Sequence, residues 1–418
     1  MHYLVKVIYT ILQQVATAIF HPWFLIVLYL IYKMYRKNES LELQSLSFVK
    51  KKVSARMVQS VLSGILVGIG ASIVLVLIGL PIYLSEYMVF LLPISILLAI
   101  VNFRYLCFSY AGGILGFLTL VFNGQMLLGY KLPDIDLDIP GIIALVGILH
   151  LMEAGLIFIE GSKDSIPIAI KKEGKIAAAY MMQKYWPLPF ALLVIEIVTS
   201  LPNGTIEMPD WWPLMKNIMD NQNTILIYSI YPIAAVLGYG DIAVTTSPEK
   251  KSRRNSLLLM LYSLILIFTA ILAPNRQWMQ VMGIILMPLL HEILIVQSQR
   301  RERFSKPLYM YPDKGVRILE LKPESIGERI GLKRGDIISK INGTPIRDYI
   351  HLRAVLNNYY TFLWFDIITP SGEKKYLEHR AYPEGINELG IIPLMDQPIT
   401  VYRLENMESI GLFNMMKK

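Results

Sequence analysis

The sequence is short of charge and nearly without cysteine. Charged residues make up 17% of its 418 residues, against about a quarter in an ordinary soluble domain. The deficit falls before residue 300, which excludes a wholly soluble protein. With 54% hydrophobic residues and a mean hydropathy of +0.47, the chain reads as an integral membrane protein with a soluble tail. With a single cysteine, Cys107, no intrachain disulfide and no cysteine-built metal site is expected. A small-residue cleavage site is missing after the early apolar run, so the start reads as retained rather than as a signal peptide. There is no internal repeat, no low-complexity tract and no G-x-S-x-G elbow, and no soluble stretch is large enough for a protease fold. The net charge of +8 does not mark a nucleic-acid groove, because the basic residues sit in short clusters beside apolar runs. No nucleic-acid partner, no catalytic set, no metal and no cofactor is expected.

What is present is a series of apolar runs of spanning length, about 20 residues each. Ile8–Tyr32 is interrupted by Gln13, Gln14, His21 and Pro22, and is either one kinked span or an interfacial helix followed by a short span. Met57–Leu80 is uncharged and carries Gly64, Gly68 and Gly70, a spacing that lets helices approach closely in lipid. Further spans are expected at 88–103, 108–122, 141–159, 187–201, 224–237, 257–272 and 278–296, about eight or nine in all. Basic clusters at 33–56, 160–184, 250–254 and 300–306 alternate with acidic connections, which puts those loops and the tail in the cytoplasm.

The tail has the most specific pattern. Residues 315–343, GVRILELKPESIGERIGLKRGDIISKING, read as strand, Ser-capped short helix, Gly-punctuated turn, strand and Asn-Gly turn. Asp348 is a plausible cap for a helix over 349–357, and strands follow at 362–369 and 375–378. The GL-x-x-GD-x-I-x-x-ING spacing resembles PDZ domains, which bind peptides by lending them a sheet edge. The expected organisation is a membrane domain over 1–300, a basic linker over 301–307, a PDZ-like domain over 308–382 and an irregular extension over 383–418. That makes the fold class a polytopic α-helical membrane bundle plus a small α+β PDZ domain. Expected groove residues are Gly315, Val316, Arg317, Ile318 and Leu319 on a strand, with His351, Leu352 and Val355 on the facing helix. The ligand is either a free C-terminus or an internal segment.

Other motifs point less clearly. Val236–Asp241, VLGYGD, is close to the potassium-filter pattern, but the basic cluster that follows faces the wrong side for a filter, so a glycine-rich helix end is expected. His291-Glu292 begins an HExxH zinc pattern that fails at its fifth position, Ile295. His150, Glu153, Glu196, His291 and Glu292 are ionisable groups within apolar runs, where charge is costly and pairs inward. They read as interhelical hydrogen bonds, with an intramembrane enzyme or transporter regulated by the PDZ domain as the alternative.

The order of parts, together with HPWF near the start, HLMEAGLIFIEG at 150–161 and LGYGDIAVTTSPEKKSR at 237–253, resembles the MinJ family of the Min cell-division system of Gram-positive rods. The resemblance implies a non-enzymatic scaffold in the cell membrane, in contact with lipid and with protein partners. Those partners would be a DivIVA-like pole protein and a MinD-like division inhibitor, bridged to place the division site.

Overall fold

The computed structural model describes residues 2–403 other than 128–129, 132–133, 203, 217–224, 359, 382–385, 387 and 397–400. The extension expected from 383 onward therefore lies largely outside the described residues.

The first apolar segment splits at His21-Pro22 into α1 (His2–Phe20) and α2 (Pro22–Leu46). His21 caps α2 by accepting the Trp23 N–H, and Pro22 takes the first turn, where its missing donor costs nothing. There follow α3 (Val53–Ile78), the two-residue strand β1 (Ile82–Tyr83), α4 (Leu91–Val101), α5 (Phe108–Phe122) and a short hairpin, β2 (Met126–Leu127) with β3 (Tyr130–Lys131). The central helix α6 (Ile139–Glu160) is the most enclosed. After a sheet, α7 (Pro248–Leu272) and α8 (Gln277–Phe304) close the bundle. Among the described residues five helices, α1, α3, α6, α7 and α8, are long and apolar enough to cross a membrane. Residues 86–101 and 108–122 add shorter apolar helices. The chain is a membrane-type helical bundle with a β-rich C-terminal domain.

Two expected spans are not helices. Residues 187–201 and 224–237 fall in β5 (Lys175–Val198) and β6 (Ile225–Ala243), which pair antiparallel from Tyr180↔Ala243 to Val198↔Ile225. The VLGYGD stretch is accordingly strand, not a helix end. β4 (Ile166–Lys172) and β1 share the other edge of β5, at its two ends. The reason is burial on both faces. Even-numbered residues Tyr180, Met182, Trp186, Leu188, Phe190, Leu192 and Val194 join the core around α6. Odd-numbered Ala177, Ala179, Met181, Tyr185, Ala191 and Leu193 enter separate clusters. A strand buried on both faces has no polar alternation and reads as a continuous apolar run.

Between β4 and β1 the edge of β5 is covered by α3. A four-residue step along a helix rises about 6.0 Å, and a two-residue step along a strand about 6.6 Å. The two periods match, so Ser60, Gly64, Gly68 and Ser72 meet Tyr185, Pro187, Pro189 and Ala191 in turn. Ser60 Oγ lies 2.6 Å from Tyr35 Oη, which accepts the Tyr185 N–H at 3.2 Å and donates to the Tyr185 carbonyl at 3.1 Å. Ser72 Oγ accepts the Ala191 N–H at 2.7 Å. Between them Pro187 and Pro189 have no N–H to satisfy, and their carbonyls abut the two glycines. The edge that would be an exposed template in a soluble sheet is sealed, donor by donor. The glycines read as helix contacts thus admit a strand, and Gly70 faces away with nothing within 4 Å.

The C-terminal domain comprises β7 (Val316–Leu321), α9 (Ile326–Arg329), β8 (Ile337–Ile341), β9 (Thr344–Pro345), α10 (Tyr349–Leu356), β10 (Phe362–Ile368), β11 (Lys374–Arg380) and β12 (Ile391–Pro393). The sheet order is β11-β10-β8-β7-β12, with β9 beside β8. β12 comes from the expected extension, so the domain reaches past residue 382. A last strand, β13 (Val401–Arg403), leaves this sheet and pairs parallel with β4.

Candidate functional site

The local chemistry of the tail follows its sequence. Ser325 Oγ accepts the Glu328 N–H at 3.3 Å, and the Glu328 carboxylate accepts the Glu324 N–H at 2.7 Å, a reciprocal pair that closes the start of the short helix. In GLKRGD the left-handed Gly335 (φ 85°) donates its N–H to the Ile318 carbonyl at 2.8 Å. Asp336 accepts the Lys333 N–H at 3.0 Å. Burial raises the Asp336 carboxyl above its ordinary value, and that hydrogen bond offsets part of the rise. Asp348 caps α10 through the His351 N–H at 2.8 Å.

The strand expected to line the groove lies inside the sheet. β7, which carries Val316, Arg317, Ile318 and Leu319, has β8 on one side and β12 on the other. It has no edge to lend along Ile318–Leu321. Gly315 turns tightly ahead of it, at φ 87°. Val316 and Ile318 share one core with Leu352 and Val355 of α10, which also takes in Leu389 and Ile391. His351 is half-buried and accepts the Arg347 N–H. The outer strand is β12, and among the described residues no strand pairs its other side. Three residues in a proline-bearing tail gave no strand signal; their partner lies some seventy positions earlier.

The domain is docked on the bundle. Past α8, the Leu308 N–H donates to the Val244 carbonyl and the Tyr311 N–H to the Ile176 carbonyl, at 2.8 and 2.9 Å. Tyr309 returns its carbonyl to the Ala178 N–H at 2.8 Å. Buried Glu320 of β7 is paired with Lys50, from the α2–α3 loop, and with Arg334 at 2.7 Å. Burial lowers the Lys50 ammonium, and Glu320 opposes that shift. Tyr180 Oη donates to the Leu319 carbonyl at 3.1 Å. At the expected basic linker, which the structure makes the end of α8, Glu302 accepts the Val244 and Thr245 N–H groups at 2.8 Å each.

The intramembrane groups divide. His150 of α6 and His291 of α8 come together, their ring centroids 5.1 Å apart. Glu292 faces the start of α5, where it takes Arg104 of the preceding turn at 2.6 Å and the hydroxyl of Tyr110, in the first turn of α5, at 2.6 Å. Glu153 lies one turn along α6 from His150, which puts it on the same side of the helix. Glu196 is remote from them, on β5, held by Ser229 at 2.8 Å and by Tyr231. Sequence reasoning missed Cys107. A lone cysteine shows no spacing to read, yet it lies between the two histidines in space.

Spanning helices, a two-faced hairpin and a docked α+β domain define a polytopic membrane protein carrying a PDZ domain. Residues 317–358 match the PDZ domain family model. The chain is similar to the cell division topological determinant MinJ of Bacillus subtilis (strain 168), at 23% identity over 260 residues. That match covers 62% of this chain and 62% of the relative, slightly under two thirds of either. The chain carries a PDZ domain and is similar to MinJ over the matched stretch.

Proposed function

We propose that the chain is a non-enzymatic scaffold of the bacterial cell membrane that helps place the division site. The PDZ domain faces the cytoplasm and recruits a protein partner by strand addition along β12. The observation that carries this reading is the sheet order, which leaves β12 as the outer strand of a domain fixed to a membrane bundle. The basic residues of 33–56, 160–184 and 250–254 support the orientation. Replacing two expected spans by a hairpin does not disturb it, since β5 and β6 leave and return on one side. The PDZ fold favours an interaction role over chemistry, and the named activity of the relative favours division. On this reading the bridged partners are a DivIVA-like pole protein and a MinD-like inhibitor.

Fluorescent fusions in a rod-shaped bacterium test it. Signal should concentrate at poles and septa, and removal of 308–418 should release the partner while membrane attachment persists. Uniform membrane staining that is unchanged by the truncation would remove the proposal. Extracts probed with the full chain should yield the two division proteins, and competition by a free C-terminal peptide or by an internal one identifies the form of ligand.

A further inference from the structure

Three electron-pair donors converge inside the bundle. Cys107 Sγ lies 3.2 Å from His150 Nε2 and 3.9 Å from His291 Nε2, and all three ligand atoms fall within 4.8 Å of one another. They come from the start of α5, from α6 and from α8. The hydrogen bonds behind the rings fix which nitrogen faces the centre. His150 Nδ1 is 2.8 Å from the Val146 carbonyl. A carbonyl only accepts, so Nδ1 carries the proton and Nε2 presents its lone pair. His291 Nδ1 is 3.3 Å from Tyr110 Oη, whose own proton goes to Glu292 at 2.6 Å. Tyr110 therefore accepts, and His291 also turns a bare Nε2 inward. One thiol proton cannot satisfy two lone pairs.

The same geometry suits a cation. Zinc–sulfur bonds of about 2.3 Å and zinc–nitrogen bonds of about 2.0–2.1 Å give tetrahedral sulfur–nitrogen edges of about 3.5 Å, between the two distances seen. The backing of both imidazoles, by a carbonyl and by a Tyr–Glu pair, is the outer arrangement that holds histidine ligands in place. Tyr262 braces both rings, at centroid distances of 5.3 and 5.9 Å. Cys107 caps α5, and Sγ accepts the Ser109 N–H at 3.4 Å.

We propose that Cys107, His150 and His291 bind a zinc ion that ties α5, α6 and α8 together inside the bundle. The thiol gives up its proton to solvent and forms the sulfur–zinc bond; the two imidazoles are already neutral and lose none. Glu153 falls outside the group of converging ligand atoms, so these three side chains make up the protein's share of the ligands.

The full chain, purified in mild detergent without chelator, should carry about one zinc per chain by elemental analysis. Cys107→Ser and His291→Gln should each cut that at least tenfold, and His379→Gln, in the PDZ domain, should not. Cobalt added to the chelated wild-type chain should give a thiolate charge-transfer band that Cys107→Ser abolishes. A readout without any variant uses the single cysteine: a permeant maleimide should label Cys107 in membranes several-fold faster after a zinc chelator. Metal retained in Cys107→Ser, or a metal-free wild-type chain whose labelling ignores the chelator, would overturn the site and leave a plain hydrogen-bond cluster.

Discussion

Replacing Gly68 by alanine would put a methyl carbon 2.0 Å from the Pro189 carbonyl oxygen, and Gly64→Ala would put one 1.9 Å from that of Pro187. Carbon–oxygen contacts sit at about 3.3 Å or more, so helix and strand must separate by about 1.3 Å. Neither neighbour yields easily, since the obstructing atoms are backbone and the strand is paired with β6 behind. Overpacking of this kind costs about 1–3 kcal/mol, and the separation also pulls Ser72 away from the Ala191 N–H. Helix propensity works the other way by about 0.8–1 kcal/mol for glycine to alanine. Gly70, two residues on in the same helix, meets nothing within 4 Å and keeps only that gain. The propensity gain is common to both, so Gly68→Ala should be about 1–3 kcal/mol less stable than Gly70→Ala, with the chemistry of the substitution held constant. Thermal unfolding in detergent, followed by fluorescence size exclusion, reads the difference. If Gly68→Ala melts at or above Gly70→Ala, the account of α3 against β5 is wrong.

Ser72→Ala should cost about 1–3 kcal/mol by leaving the Ala191 N–H without its acceptor, and the same melts measure it. Glu42 and Arg56 form a fully buried ion pair between α2 and α3. Arg56→Met should cost about 3–5 kcal/mol, while Arg56→Met with Glu42→Met should recover most of it; a double variant as weak as the single one contradicts the pairing. Asp336 supplies a pH test. Its carboxyl is raised by burial, so the native state holds the proton more tightly than the unfolded chain. Its contribution is full below about pH 3.9 and is lost as the pH climbs through the raised value. In urea unfolding Asp336→Asn should gain on the wild type as the pH rises through that window, and a constant gap would show that burial does not govern the group.

The bundle was legible where one period ruled. The runs of α3, α6, α7 and α8 were found from length and hydropathy, and the tail from turn residues at fixed spacing. β5 and β6 were not, because hydropathy counts apolar residues without asking how many faces they cover. The alternate Pro187 and Pro189 were the overlooked sign: two prolines at a period of two fit an unpaired strand edge and do not fit a helix interior. β12 was hidden by its brevity, since only its distant partner makes it a strand. His150 and His291 were singled out on their own helices, but their convergence on Cys107 depends on how three helices cross, which no local pattern encodes.

The docking of the PDZ domain also bears on what a captured partner would feel. Glu320 is clasped by Lys50 and Arg334, and 308–311 are stitched to the foot of the hairpin. The module is thus a bracket bolted to its wall rather than a hook on a cord. A strand laid along β12 would take a set height and compass heading above the bilayer, so neighbouring copies would present their cargo in one common direction.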